Sequence, residues 1–155
     1  MQDQVDDERR TRTDHKEIIE SLSRDGRCLP YVKSEDKIRH YLLAMGDDRY
    51  TVLKGFGKGS QWYGYAYPQP VCFERILQDE CLAPIAETKA HIASLQDTLA
   101  KDMRLPEEAV PIRKIHLPNS IRYHEQVLER LKGVQKAMMR FHEPFSIGKG
   151  IEEVP

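Results

Sequence analysis

The sequence predicts an α+β fold, with a small β-hairpin or sheet, short N-terminal helices and a C-terminal antiparallel helical hairpin. Three observations lead to this prediction. Residues 49–56 and 61–67 alternate, are rich in β-forming residues and flank a short glycine-containing turn. Apolar residues then recur at helical spacing within about 84–103, and again within about 120–142.

The β-hairpin is predicted from the stretch VLKGFGKGSQWYGYAYPQP, residues 52–70, which holds four of the nine glycines of the chain. The runs 49–56 and 61–67 surround GKGS, and this arrangement is typical of antiparallel strands joined by a tight turn. Pro68 and Pro70 have no N–H group to donate. We therefore expect the second strand to stop there or to lie at a sheet edge.

Two short helices are predicted before the hairpin. The first spans about 13–26, where a capping-box pattern opens the helix and a glycine can end it. The second spans about 34–46, with Ser34 as its N-cap. Its apolar residues fall at i, i+4 and i+7, the spacing of a core-facing stripe. They are Ile38, Leu42 and Met45. Residues 27–33 are predicted to be a connector with a proline break.

The two C-terminal helices are predicted from regular apolar spacing. In the first, Ile85, Ile92 and Leu99 recur every seven residues, the pattern of a short coiled-coil seam. In the second, apolar residues are spaced by 4, 3, 4 and 3. They are Val127, Leu131, Val134, Met138 and Phe141.

Similar lengths and a long connection predict that these helices pair antiparallel, within one chain or between two. The connection contains three prolines, and its middle part, 111–117, alternates in a way that makes it a candidate for a further short strand. Pro144 is expected to end the last helix.

The length of 155 residues predicts one domain, and 39% hydrophobic with 32% charged residues is a globular composition. We expect a flexible arm at 1–12, a globular domain at 13–143 and a tail at 144–155. The formal net charge of −1 excludes a global field that would draw the chain to nucleic acid or to an anionic membrane.

A cytoplasmic location is predicted, without a membrane segment. The N-terminus has no apolar core of the kind a signal peptide needs, and the longest apolar run, YLLAM, has five residues. Three widely spaced cysteines are not a disulfide framework. A zinc site built on Cys72 and Cys81 has no motif behind it, so neither a metal nor a cofactor is predicted.

No pattern in the chain indicates a reaction. GFGKGS lacks the spacing of a phosphate-binding loop, no G-x-S-x-G is present, and the sequence around the cysteines resembles no catalytic motif. These observations favour a protein that is not an enzyme. An enzyme without a recognisable motif stays open as an alternative.

The aromatic hairpin supplies the first set of candidate binding residues. In an extended strand Tyr63, Tyr65 and Tyr67 would share one face, where they could stack on bases while nearby lysines neutralise phosphates. The competing interpretation is that the tyrosine face covers the core. The candidate residues are Lys54, Phe56, Lys58, Trp62, Tyr63, Tyr65 and Tyr67.

The last helix supplies the second set. Lys132, Lys136 and Arg140 fall at i, i+4 and i+8, on one ridge of a helix. From 104 to 140 the chain has eight Lys or Arg against four Glu, a surplus of four positive charges. This ridge is either a solvated helix face or a surface for phosphates or an acidic partner.

The sequence therefore predicts a non-enzymatic binding or regulatory protein. It would act through a protein partner, or as a homodimer, by its helical hairpin or its aromatic β-hairpin. The alternative is a protein that binds single-stranded nucleic acid through the tyrosines and the basic ridge.

Overall fold

A computed structural model describes residues 17, 19–32, 38–46, 48–56 and 61–153, and it gives side chains for all of these except 38, 56, 61–65 and 146–153. The fold is α+β, as predicted. Its contacts separate into two compact units. The sheet unit is Met1–Leu77 with Lys136–Pro155, and the helical unit is Gln78–Gln135. The predicted arm at 1–12 lies outside the described residues.

The sheet unit is built on an antiparallel sheet. Its strands follow the order β1-β2-β3-β4, and β5 lies beside β3 as well. A short helix, α1, precedes the sheet at 19–24. The other elements are β1 (Cys28–Tyr31), β2 (Ile38–Ala44), β3 (Arg49–Phe56), β4 (Gln61–Tyr65), β5 (Val71–Cys72) and the helix α2 (Phe73–Leu77).

The predicted β-hairpin is confirmed as β3 and β4. The register pairs Leu53 with Tyr65 and shifts between Lys54 and Gly55, as it does at a β-bulge. The second strand is two residues shorter than predicted, although the backbone N–H of Ala66 still donates to Val52 at 2.6 Å. Pro68 cannot continue this ladder because it has no N–H.

The helix predicted at 34–46 is wrong, because residues 38–44 form the strand β2. This strand is hydrogen-bonded to β1 on one side and to β3 on the other. Leu42 and Leu43 are both fully buried although they are neighbours, so both faces of the strand are covered here. Burial on both faces removes the alternation that distinguishes a strand from a helix in sequence.

The core of the sheet unit lies on β2 and β3, and α2 packs against it. The ring centroids of Tyr50 and Phe73 are 5.5 Å apart in an edge-to-face arrangement. Burial of each large apolar side chain contributes about 1.5–3 kcal/mol. The fully buried apolar residues of this unit are Leu42, Leu43, Ala44, Tyr50, Val52, Leu53, Ile76 and Met138.

The helical unit contains a π-helical turn (Gln78–Leu82), the helix α3 (Ala83–Met103) and the first part of α4 (Pro111–Glu153). The bounds of α3 coincide with the predicted helix within one residue. The strand proposed at 111–117 is wrong, because α4 begins at Pro111. A proline at the first helical position loses no hydrogen bond, and its fixed φ suits a helix.

The helix predicted at 120–142 lies inside α4, which extends beyond it at both ends. Pro118 and Pro144 therefore do not bound the helix, although each removes one N–H from its hydrogen-bond ladder. Contacts between described side chains join α3 to α4. Asp102 bonds to Arg113, and the rings of His91 and His124 lie 4.5 Å apart. The full seam predicted between the two helices stays a prediction.

Within the described part of the chain, no helix combines the length and the apolar character needed to cross a membrane.

Candidate binding surface

Five exposed apolar side chains lie at the end of α3, on the connection and in the first four turns of α4. The fractional exposures are 66% for Met103, 44% for Leu105, 69% for Ile112, 65% for Ile115 and 59% for Tyr123. We call these five residues the apolar stripe. Single exposed apolar residues are ordinary, but a group of large ones on one surface is typical of an interaction site.

Three members of the apolar stripe share one face of α4. At about 100° per residue, Ile112, Ile115 and Tyr123 lie within about 80° of one another around the helix. Leu117 and Ile121 lie on the opposite face and are buried. The first part of α4 is therefore apolar on two faces. One face is packed within the helical unit, whereas the other is open to solvent.

The other two members lie at the same end of the helices. Met103 and Ile112 are the immediate neighbours of Asp102 and Arg113, which are hydrogen-bonded to each other. Met103 is thus in the last turn of α3 and Ile112 in the first turn of α4, on either side of the point where the chain passes between the two helices. Leu105 lies on the connection between them.

The connection is held by its own hydrogen bonds. The Pro106 carbonyl accepts bonds of 2.8 Å from the Ala109 N–H and from Lys114 Nζ. Val110 has a φ of 45°, in the left-handed region. For a β-branched residue this conformation costs about 1–3 kcal/mol, and such strain is often found at functional sites.

The electrostatic anchor of this region is a carboxylate–guanidinium fork. Arg113 donates from Nε and Nη2 to the two carboxylate oxygens of Asp102, with both bonds 2.6 Å long. Asp102 is almost fully buried in the last turn of α3, where the helix dipole disfavours a negative charge. The hydrogen bonds from Arg113 nevertheless hold the pKa of Asp102 below its ordinary value, and Asp102 raises the pKa of Arg113.

Positive charges outnumber negative ones around the apolar stripe. Between residues 102 and 123 there are four Lys or Arg and three acidic residues, one of which is Asp102, the partner of Arg113. The positive residues are Arg104, Arg113, Lys114 and Arg122, and the other negative residues are Glu107 and Glu108. All of these except the half-buried Lys114 are exposed, so the rim of the apolar stripe is charged, with a surplus of one positive charge when Asp102 is counted.

The aromatic candidates from the sequence are only partly described. Lys54 is exposed on β3, whereas Tyr67 follows β4 and is buried, with 9% of its surface exposed. The Arg75 guanidinium lies 5.9 Å from the centre of the Tyr67 ring, within cation–π distance. Phe56, Trp62, Tyr63 and Tyr65 lie on β3 or β4, but their side chains are outside the described set, as is the whole of Lys58.

The predicted basic ridge lies on α4. Lys132 is half-buried, and its Nζ is 3.6 Å from a Glu129 carboxylate oxygen. Lys136 and Arg140 are exposed. The ridge therefore contains one lysine with an acidic neighbour and two cations directed to solvent.

Arg140 also borders an open pocket in the sheet unit. The pocket has a volume of about 320 Å³ and is lined by Phe73, Met139, Arg140, His142 and Glu143. None of these residues except Arg140 was a candidate from the sequence. Phe73 and His142 are far apart in the chain, and no local pattern brings them together.

The pocket wall is ordered by Tyr50. The Tyr50 hydroxyl lies 2.7 Å from His142 Nδ1, and the Phe73 and His142 rings are stacked with centroids 3.9 Å apart at 6°. Burial, with a smaller effect from Asp48, raises the pKa of Tyr50 from 10.0 to about 12. The hydroxyl therefore keeps its proton at neutral pH.

Sequence reasoning missed the apolar stripe because 111–117 was predicted to be a strand. In a helix, the spacing of Ile112, Ile115 and Tyr123 would have indicated a second apolar face opposite the buried one.

Among the described residues, no three His, Cys, Asp or Glu side chains are grouped so that they could hold a metal ion.

Comparison with known proteins gives this chain no relative from which a function could be transferred. No family model, no curated protein and no solved structure matches it.

Proposed function

We propose that this chain is a non-enzymatic binding or regulatory protein that binds a partner protein through the apolar stripe. The observation that carries the proposal is the exposure of Ile112, Ile115 and Tyr123 on one face of α4, opposite the buried face of the same helix. A helix in a monomer that needs only one packed face has no structural use for a second apolar one.

Covering the apolar stripe would contribute free energy in proportion to the apolar area removed from water. Each of these side chains would contribute up to about 1.5–3 kcal/mol if a partner removed it fully from water. Part of that gain is offset by the loss of translational and side-chain freedom on association. A few well-covered apolar residues at the centre of a contact can nevertheless dominate its affinity.

The charge around the apolar stripe indicates the chemistry of the partner. Its rim carries one more positive than negative charge when Asp102, the partner of Arg113, is counted. A second copy of the chain would bring two net positive rims together, whereas a partner with an apolar centre and acidic margins would complement them. We therefore propose a different protein that presents such a surface, for example as an amphipathic acidic helix.

The proposal is tested by comparing what two charge variants capture. The tagged full-length chain is used to capture proteins from a lysate of its source cells after nuclease treatment. Ile112→Lys with Ile115→Lys places two charges in the apolar stripe. Ala86→Lys with Ala93→Lys adds the same charge at two exposed positions of α3 and is the matched control.

We expect a protein that the wild-type chain and the control retain and the stripe variant loses. Its retention should fall as salt is raised, because the rim is charged. Equal capture by both variants would refute the proposal. Sedimentation of the purified chain tests whether a second copy of the chain binds the apolar stripe instead. A wild-type dimer that dissociates in the stripe variant, but not in the control, would show that the stripe is a dimer interface.

Single-stranded nucleic-acid binding is the second candidate, and the exposure of Lys54, Lys136 and Arg140 favours it. The buried position of Tyr67 removes one of the three proposed stacking rings. Bound material that disappears after nuclease treatment, and that survives both substitutions in the apolar stripe, would support this candidate instead.

A further inference from the structure

The pocket beside His142 is a separate feature from the apolar stripe, and all its lining residues belong to the sheet unit. We propose that it binds an aromatic carboxylic acid, with the ligand ring against Phe73, His142 and Met139 and the carboxylate at Arg140. This site would add a ligand to the function proposed above.

The side chains that form the wall of the pocket are held in place by contacts with their neighbours. His142 is fixed on one side by the 2.7 Å contact of its Nδ1 with the Tyr50 hydroxyl, and on the other by its stack with Phe73. Tyr50 is fully buried, and the edges of Phe141 and Phe145 surround its ring. A wall held in this way needs little reorganisation when a ligand arrives.

The lining favours an aromatic ligand. Two of the five lining side chains are rings, of which Phe73 is only 7% exposed and covers one face of His142, and Met139 is a flexible thioether with half of its surface exposed. Aromatic rings associate favourably with other rings and with methionine sulfur. The volume of about 320 Å³ is at the lower end for ligand pockets, which suits a single ring with a short substituent.

The charge of the lining favours a carboxylate at one end. Arg140 is exposed, and none of the described residues forms a hydrogen bond or ion pair with it. A guanidinium matches a carboxylate with two parallel hydrogen bonds. Glu143 lines the same pocket but has an interaction of its own, so Arg140 is the group assigned to the ligand carboxylate.

An aromatic carboxylate can come from two sources, a free acid or the C-terminal residue of a peptide. Both present a ring close to a carboxylate group. The experiment therefore uses phenylacetate for the free acid, and N-acetyl-Gly-Gly-Phe for the chain end. The same peptide with a C-terminal amide removes the charge and keeps the ring.

Binding is measured on the full-length chain by NMR titration of backbone and histidine-ring signals. We expect saturable shifts of His142 with at least one acid, and at least tenfold weaker binding of the amide. Arg140→Gln should weaken acid binding at least tenfold. Arg39→Gln removes an exposed cation of β2 that does not line the pocket and should leave the affinity unchanged.

Both residues substituted to weaken or control binding are exposed, so the variants are expected to fold, and their amide spectra report this directly. Tighter binding of phenylacetate would indicate that the ligand is a free acid. Tighter binding of the peptide would indicate that the ligand is the C-terminal residue of a peptide. Equal affinity for acid and amide, no effect of Arg140→Gln, or no saturable shift at about 10 mM of either acid would overturn the proposal.

Discussion

The guanidinium of Arg113 donates two hydrogen bonds of 2.6 Å to the carboxylate of Asp102, across the connection between α3 and α4. The carboxylate is buried at the negative end of α3, where it would be unfavourable alone. This pair therefore anchors the start of α4, and with it the position of the neighbouring Ile112 in the apolar stripe.

Asp102→Asn should lower the free energy of unfolding at pH 7, because Arg113 loses its charged acceptor. The pKa of Asp102 is lowered in the folded state from its ordinary value of 3.8. Its contribution is thus fully present above that pH and is lost as the pH falls through the lower folded value. Urea denaturation at pH 7 and at low pH should show a smaller acid dependence in the variant.

Asp97→Asn is the matched control for this prediction. Asp97 pairs with Lys101 at 3.1 Å, but both side chains are about 70% exposed. Its loss should change the free energy of unfolding by less than about 0.5 kcal/mol. Equal effects of the two substitutions would contradict the anchoring role of Asp102.

Tyr50→Phe should lower the free energy of unfolding by about 1 kcal/mol, because the variant loses the hydrogen bond between the Tyr50 hydroxyl and His142. The substitution should also change how the free energy of unfolding depends on pH in the alkaline range. The folded pKa of Tyr50 is raised from 10.0 to about 12. The stabilisation is therefore present below about pH 10 and is lost as the pH rises through 12.

Thermal unfolding between pH 8 and 12 tests this pattern, since the phenylalanine variant should lack the Tyr50 part of the decline. Ultraviolet titration is a second readout, because one tyrosine of the wild-type chain should ionise later than ordinary tyrosines. An unchanged alkaline profile would show that Tyr50 is not shielded as its burial indicates.

Thr51→Val should raise the free energy of unfolding by about 1 kcal/mol. Thr51 is 1% exposed on β3, and no described residue hydrogen-bonds to its hydroxyl. Valine keeps the shape and removes the unsatisfied polar atom. Thr51→Ser keeps the hydroxyl and removes the methyl group, so it should lower stability by about 1 kcal/mol. Denaturant melts of both variants that rank serine above valine would contradict this account.

Two glycine substitutions should have opposite effects. An alanine Cβ at Gly133 would meet no atom within 4 Å, so Gly133→Ala should stabilise α4 by about 0.5–1 kcal/mol. Gly26 ends α1 with a φ of 71°, and its N–H donates to the Ser23 carbonyl. Gly26→Ala should therefore cost about 1 kcal/mol. Urea melts in which both variants shift in the same direction would count against these backbone assignments.

The part of the fold that could be predicted from sequence is the part with a clean period. The alternation in 49–56 and 61–67 specified the hairpin, and the apolar spacing in 84–103 specified α3. β2 could not be predicted in the same way, because Leu42 and Leu43 are buried on opposite faces and leave no alternation to detect.

The start of α4 was missed for a different physical reason. Pro111 and Pro118 indicated breaks in the chain. Pro111 is the first residue of α4, where its missing N–H costs no hydrogen bond. Pro118 lies within α4, and the helix continues on both sides of it. Because of that error, Ile112 and Ile115 were predicted to lie in a strand. The pocket beside His142 could not be predicted, since it needs Tyr50 and Phe73 to meet α4 in space.

The most direct test of the central claim is site-specific photo-crosslinking in source cells. A photo-reactive phenylalanine analogue replaces Ile115 in one full-length chain and the exposed Ala86 in another. The proposal predicts a nuclease-resistant protein adduct from position 115 that is absent from position 86, and that disappears when Ile112→Lys is added. Identical adducts from both positions, or none from position 115, would contradict the assignment of the apolar stripe as a partner-binding surface.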